Sequence, residues 1–359
     1  MGTAVYVPIL KGKEGEFAAL EVLSNDVRNQ IRPFIEIPGV AYDYSNDRPS
    51  KSLDDHISSV ANRLGRCWKN APIYVDFSWI EADERLQDGG DPIEGMLEQC
   101  LQLSVPAIPV VTRTTSATGL SAVGRYSRST GNGCCVRLLL EDFEEEVELE
   151  TEIARMFRAM SGAQIELADL VLDFEDIGND SSRAVLLARS VLSMIPLKDQ
   201  WRCVVLSAAS FPEDLSEVDA STISLLPRRE WHLWKTLQRR PNVLPRRDLV
   251  FGDYAIAHPI PRELDPRTMR MSANIRYTAP DDWLIVKGRN VRQYGFEQYF
   301  DLCRLLTQRQ EYSGRQFSWG DNFIFECAAG TAGPGNATTW RKVGTNHHIT
   351  MVVRSLAEV

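Results

Sequence analysis

The chain has 359 residues, 43% hydrophobic and 25% charged, with 40 Lys and Arg against 49 Asp and Glu for a formal net charge of −9. That composition supplies a sizeable core and excludes long disordered tracts, while the acidic balance argues against bulk, non-specific binding of nucleic acid. The length exceeds a typical domain but suits one barrel of about 250 residues with additions.

Short β-branched runs alternate with segments of helical periodicity from the start of the chain. Ala4–Leu10 predicts a first strand and Glu14–Leu23 a helix, followed by a strand at Ile31–Ile37 and a helix at Ser52–Leu64. The pattern repeats with Ile73–Phe77 and Pro92–Leu103, Ala107–Thr112 and Leu120–Ser129, then Cys135–Leu140 and Phe143–Met160. It continues through Ala168–Asp173 and Ser181–Met194, Arg202–Leu206 and Arg228–Leu237, and an eighth strand at Leu249–Asp253. Near-continuous apolar runs are what parallel strands covered on both faces require. Eight of them joined by seven helical crossovers predict an α/β fold, a (β/α)₈ TIM-type barrel. Ser181 and Ser182 are placed as N-caps, and Pro92 as the first residue of its helix.

Beyond strand eight the spacing changes. Asn274–Thr278 and Trp283–Lys287, joined by the turn signal APDD, predict a β-hairpin insertion within 257–294, placed over the barrel mouth as a lid. An eighth helix is expected near Phe296–Leu306, and C-terminal helical additions occupy 312–359, with Asp321–Ala329 and a last helix from about His347. The whole chain, 1–359, is expected to be one barrel domain. An open α/β sheet is the competing fold, but LKGKEGE stands after strand one where a glycine-rich dinucleotide fingerprint belongs.

The amino terminus reaches charge too soon for a secretory signal, and no run approaches a membrane span of about 20 apolar residues. Seven cysteines, at 67, 100, 134, 135, 203, 303 and 327, form no CxxC pair, so neither a disulfide framework nor a zinc site is expected, and a reducing cytoplasm is the expected compartment. Charge is unevenly spread: Glu141–Glu152 is strongly acidic, whereas residues 226–294 hold fourteen Lys and Arg against seven Asp and Glu.

The runs YVPILKGKEGEFAALEVLS and IRPFIEIP, SFP after strand seven, GDYAIAHP after strand eight, IRYTAPDDWLIVKGR in the hairpin and TNHHITMVV near the end together resemble the phage beta-protein family over nearly the whole chain. That resemblance implies a setting of conflict between phage and host, including antiviral defence. It brings no agreed activity and no assigned catalytic residues.

In a barrel the C-terminal strand ends converge, so Lys11, Glu36, Asp76, Arg113, Glu141 or Asp142, Asp173 with Glu175 and Asp176, Ser207 and Asp253 are expected to share one mouth. Carboxylates without histidine or thiolate suit a hard cation, which makes Glu36, Asp76 and Asp173 the candidate ligands of Mg²⁺. The competing reading pairs such carboxylates with Arg113 and Arg137 inside the barrel. Three acids within LDFEDI should raise at least one pKa, which gives Asp173 and Glu175 a catalytic reading beside His258 after strand eight. Lys11 is placed to meet phosphate, and Arg276, Tyr277, Lys287 and Arg289, with Trp283, mix basic and aromatic residues in a surface suited to a nucleotide or single-stranded nucleic acid. Those aromatics would otherwise pack the hairpin onto the barrel.

The stretch PRREWHLWKTLQRRPNVLPRR is amphipathic, with Trp231, Trp234 and Leu237 on the face expected to be buried and arginines on the other. His347 and His348 are adjacent and so do not form the i, i+4 pair of a zinc helix. No GxSxG elbow, Walker loop or kinase signature is present.

Two functions follow. One is a barrel that binds a phosphorylated ligand, nucleotide or nucleic-acid strand at its mouth, with Mg²⁺-assisted phosphodiester hydrolysis as the reaction. The other is a non-catalytic sensor, inhibitor or subunit of an antiphage complex, with 141–152 and 228–247 as surfaces that dock a protein partner.

Overall fold

The computed structural model describes residues 4–143, 148–239, 249–260 and 271–358. In chain order the strands are β1 (Tyr6–Leu10), β2 (Phe34–Glu36), β3 (Tyr42–Asp43), β4 (Arg48–Pro49), β5 (Ile73–Asp76), β6 (Ala107–Val111), β7 (Cys135–Leu139), β8 (Asp169–Asp176), β9 (Cys203–Ala209), β10 (Thr222–Pro227), β11 (Leu249–Asp253), β12 (Ser272–Thr278) and β13 (Asp282–Asn290). The α-helices are α1 (Glu14–Glu21), α2 (Asn25–Arg28), α3 (Leu53–Cys67), α4 (Pro92–Gln102), α5 (Ala117–Thr130), α6 (Leu149–Ala159), α7 (Ser181–Ser193), α8 (Arg229–Gln238), α9 (Val291–Tyr294), α10 (Gln298–Thr307), α11 (Trp319–Ala329) and α12 (Ala337–Leu356).

The eight runs read from the sequence form a closed parallel barrel in the order β1-β11-β9-β8-β7-β6-β5-β2. Strand alternation divides their side chains between two cores. Val7, Ile9, Phe34, Tyr74, Ile108 and Val171 belong to the cluster inside the barrel. Their neighbours Tyr6, Leu10, Ile35, Val75, Leu170 and Leu172 join the helices in the larger cluster outside it. Burial of each large apolar side chain contributes about 1.5–3 kcal/mol, which is why both faces of these strands are apolar.

Pro92 does open α4, behind an Asp91 side chain that accepts from the Ile93 amide. At α7 the cap is Asp180, which accepts from the Arg183 amide, so Ser181 and Ser182 lie inside the first turn.

The expected hairpin is present as β12 and β13, and it gains a third strand. β10 pairs antiparallel with β13 from Thr222↔Lys287 to Pro227↔Asp282, giving a sheet in the order β10-β13-β12. α10 packs against this sheet, placing Tyr299, Leu302, Cys303 and Leu306 in a second core with Ile275, Tyr277 and Leu284. The segment read as the eighth barrel helix therefore belongs to that second core. α12 takes the place on the barrel, with Ile349, Val352 and Val353 in the barrel's outer core. It starts ten residues ahead of His347, at Ala337, capped by the Asn336 side chain on the Thr339 amide. Its middle turns carry Thr345, Asn346, His347, His348 and Thr350, all buried, so an apolar stripe could not announce them.

Candidate functional site

Inward parity continues past the apolar layer into charge. Two residues after Ile9, Phe34, Tyr74, Cys135 and Val171 come Lys11, Glu36, Asp76, Arg137 and Asp173, all buried at the C-terminal end of the barrel. Arg137 stands at their centre. Its Nε and Nη2 donate to Asp173 Oδ2 at 2.9 and 2.6 Å. Its Nη1 donates to Asp76 Oδ2 at 2.5 Å and Glu36 Oε1 at 3.0 Å. Tyr254 closes the ring, accepting from Arg137 Nη2 at 2.6 Å and donating to Asp173 Oδ2 at 2.6 Å. Lys11 Nζ contacts Glu36 Oε2 and the Pro259 carbonyl, beneath the Trp79 ring and against that of Tyr254.

The energetics of this cluster follow from its burial. Burial pushes the Glu36 carboxyl above its ordinary range, and Lys11 and Arg137 pull it back only partly. Burial alone would weaken the Arg137 cation, but Tyr254, Asp173, Asp76 and Glu36 around it hold it protonated well above its usual range.

Glu36, Asp76 and Asp173 thus converge as expected for a Mg²⁺ set, but on a guanidinium. A magnesium ion needs near-octahedral oxygen ligation at about 2.1 Å, and the carboxylate oxygens facing the meeting point already accept from Arg137 or face Lys11. The three residues do not fit that ion. Among the described residues no group of three or more His, Cys, Asp and Glu side chains is arranged to hold a metal.

Glu175 has a different environment. It sits half-buried just past Asp173 with φ +48°, a left-handed conformation that disfavours side chains larger than glycine. Among the described residues no hydrogen bond engages its carboxylate, and burial followed by the charge of Asp173 raises its pKa. His258 lies at the rim, with Nδ1 3.2 Å from the Ile260 amide and Nε2 3.7 Å from Asp176 Oδ2. Across the mouth Arg113 pairs with Asp142 at 2.9 Å. A cavity of about 280 Å³ opens beside Asp76, lined by Ser78, Asp91, Thr112, Thr115 and Ser116 at the ends of β5 and β6.

Other expected members lie elsewhere. Asp253 has outward parity, and its carboxylate meets His348 Nε2 at 2.9 Å and the Tyr6 hydroxyl at 2.5 Å, behind the barrel wall. Tyr277 is buried in the second core, donating to Asp321 Oδ1 at 2.7 Å and stacked on His347 with ring centroids 3.8 Å apart. Pairing of β13 with β10 in the Thr222↔Lys287 register carries Lys287 and Arg289 to the segment before β10. There Lys287 Nζ donates to the Leu215 and Val218 carbonyls and Arg289 Nε lies 3.4 Å from Ser221 Oγ. The basic and aromatic surface expected over the mouth is in this way divided between a core and a loop clamp. Arg276 reaches the segment after β11, donating from Nη1 to the Ile256 carbonyl at 2.8 Å, and Trp283 packs in a cluster with Ile256.

From the sequence, Arg137 is expected only as a pairing partner and Tyr254 has no expected role. Parity would have found both, since each follows an inward residue by two positions or by a short extension of the strand. His347 and His348 are fully buried and hydrogen-bonded, to Asp321 and Thr278, and to Asp253 and Thr278. Trp231, Trp234 and Leu237 face the barrel as expected, with both tryptophans against Phe251. Of the two charged segments, residues 144–147 and 240–247 lie outside the described residues. No helix among the described residues is long and apolar enough to cross a membrane.

Comparison with solved structures returns barrel enzymes of low identity. A type I 3-dehydroquinate dehydratase from Clostridium difficile, covalently modified with comenic acid, is 10% identical with a TM-score of 0.39 over 73% of this chain and 88% of its own. A triosephosphate isomerase from Bartonella henselae is 10% identical with a TM-score of 0.35 over 69% of this chain and 92% of its own. No curated protein sequence matches the chain. The family model described as Beta protein matches residues 6–354, nearly the whole chain, and the protein belongs to that family.

Proposed function

We propose that the barrel mouth binds a small phosphorylated ligand, the size of a mononucleotide or sugar phosphate, with Glu175 positioned for proton transfer. The observation that carries this reading is the cavity of about 280 Å³ beside Asp76, next to the Lys11, Glu36, Arg137, Asp173 and Tyr254 network. Its volume sits at the lower edge of ligand pockets, about 300 Å³ and upward, and so favours one nucleotide over a strand. Carboxylates and hydroxyls on its wall match sugar hydroxyls. The raised pKa of Glu175 keeps its carboxyl protonated closer to neutrality than a solvated one, which suits a proton donor. Arg137 occupies the position a metal would need, so metal-assisted hydrolysis forms no part of the proposal. The phage and host setting that the family resemblance implies makes nucleotides the first class to test.

The experiment is thermal unfolding and calorimetric titration of the full chain with mononucleotides and sugar phosphates, beside a Thr114→Trp variant that places an indole on the exposed lip of the cavity. A ligand at 100 times its Kd adds about 2.7 kcal/mol of stability to the wild type, and Thr114→Trp removes that gain. Absence of a gain with every compound rejects the mouth as a small-ligand site and transfers the test to a protein partner, read by size-exclusion of a co-expressed complex.

A further inference from the structure

Lys11 is neutralised by Glu36, so the mouth itself offers little to an anion. A second group of cations lies beside it, where the β1–α1 connection meets α12 and β12. Gly15 in the first turn of α1 allows α12 to approach so closely that a Cβ there would fall 2.7 Å from Arg341 Cβ and 2.6 Å from the Thr338 carbonyl. Gly344, one turn along the same face of α12, likewise brings that helix onto the Arg276 backbone, where a Cβ would fall 3.0 Å from the Arg276 carbonyl. These two approaches fix the stems of Arg341 and Arg276 side by side, with Lys13 at the N-terminus of α1.

Lys13 and Arg341 face one carboxylate, Glu16, and do not use it well. Glu16 Oε2 accepts from the Lys13 backbone amide at 3.0 Å. Glu16 Oε1 lies 3.7 Å from Arg341 Nη1, beyond hydrogen-bond reach, and that nitrogen is buried without a hydrogen-bond partner among the described residues. Arg276 has no carboxylate partner among them either. Its guanidinium lies 4.7 Å over the Phe211 ring and donates to the Ile256 carbonyl and, at 3.3 Å, to the Asn274 side chain. Lys13 makes no ion pair with any described residue.

A buried guanidinium nitrogen without an acceptor and an arginine without a carboxylate are costly unless an anion completes them. Burial, and then Arg341, push the Arg276 pKa down to about 9, and burial, then Arg341, also lowers that of Lys13. Burial is the larger cause of each shift, and the nearby Arg341 charge is the second.

We infer that Lys13, Arg276 and Arg341 form an anion site for a phosphate group at the rim of the barrel. Planar guanidinium forks suit phosphate oxygens, and a lysine adds a point charge. As the phosphate-holding end of the mouth ligand this site rests on the reading above, but its anion chemistry can be tested alone.

The test is titration of the full chain with inorganic phosphate at ionic strength matched by sodium chloride, read by calorimetry and thermal unfolding. The variants are Arg341→Gln, Lys13→Gln and Thr114→Trp. Phosphate is expected to bind the wild type and Thr114→Trp alike, and at least tenfold more weakly to Arg341→Gln and Lys13→Gln. Arg341→Lys retains the charge without the fork, and is expected to bind between the two. No phosphate binding to the wild type, or equal binding to Arg341→Gln and Lys13→Gln, overturns the site. Phosphate bound as described, with no mononucleotide or sugar phosphate binding more tightly than phosphate itself, upholds the anion site and rejects the mouth cavity as its extension.

Discussion

Arg137→Met removes the central guanidinium of the mouth while keeping most of its volume. Four of its hydrogen bonds go to carboxylates, and the loss falls unevenly. Glu36 keeps Lys11, Asp173 keeps the Tyr254 hydroxyl, and Asp76 keeps only its own Ser78 contacts on Oδ1. Stranding buried charges by removing one partner costs about 3–5 kcal/mol, and the expected loss at pH 7 lies in that range. At about 2 °C per kcal/mol for a chain of this size, the midpoint falls by roughly 6–10 °C. Without the guanidinium, the burial that already raises the Glu36 pKa is opposed by Lys11 alone. The folded variant then holds that proton more tightly than the unfolded chain does, so it is favoured at low pH and loses stability as pH rises through the folded value. The gap between wild type and variant should therefore narrow from pH 7 to pH 5 in urea unfolding. Adding Asp76→Asn to Arg137→Met should recover about 1–3 kcal/mol through the coupling of the two sites. A variant within 1 kcal/mol of wild type at pH 7, or a gap independent of pH, would refute the placement of Arg137 as the counter-charge of these three acids.

Two further outcomes follow from buried and strained groups. Burial lowers the pKa of His348 below its ordinary value although Asp253 opposes the shift; the folded chain thus binds fewer protons, and its stability is full above about pH 6.5 and falls as pH drops through the His348 folded value. His348→Gln should cost about 1–3 kcal/mol at pH 7.5 by leaving polar partners unpaired, and should remove that part of the decline between pH 6.5 and 5.5; an unchanged slope of urea midpoint against pH would contradict it. Glu175→Gly relieves a left-handed side-chain residue worth about 1 kcal/mol, so stability should hold or rise while any turnover at the mouth falls by about 100-fold; a clear drop in the thermal midpoint would show that the carboxylate serves the fold instead.

The barrel was legible because its strands are covered on both sides, which writes each one as an apolar run that no loop imitates. β10 was not, since TISLLP lies between a strand and a helix already accounted for, and its residues, Ile223 and Leu226 included, are at most partly buried in the strand that pairs with β13. The last helix was read only from about His347, and the first half of α12 escaped. Its buried middle is polar, and the bonds that satisfy it, such as His347 to Asp321 and His348 to Asp253, join residues far apart in sequence. At the mouth, strand ends indicated which acids converge, but the direction of each side chain depends on parity. Asp76 and Asp173 point in and Asp253 points out, although all three stand at or next to the end of a run. The fate of Lys287 and Tyr277 was hidden because it depends on β10 and on α11 and α12, elements that reach them only through the tertiary fold.

The barrel carries its own comparison for the claim that the mouth is more than a structural plug. At its N-terminal end Asp169 is fully buried and receives Arg32 at 2.9 Å, Arg202 at 2.8 and 2.7 Å, and the Tyr74 hydroxyl at 2.8 Å. One acid faces two arginines there, and both of its oxygens are bonded. Sealing a barrel end needs no more than that. The mouth instead sets Glu36, Asp76 and Asp173 against Lys11 and Arg137. It holds a fourth acid, Glu175, in a strained conformation without a hydrogen bond to its carboxylate from any described residue, and opens beside a cavity. An excess of acid at the mouth and of cation beside it, at Lys13, Arg276 and Arg341, would be two unfavourable arrangements if each served packing alone. The ligand proposed above, with hydroxyls at one end and phosphate at the other, would resolve both, because each half would supply the charge or the donors that the adjoining wall lacks.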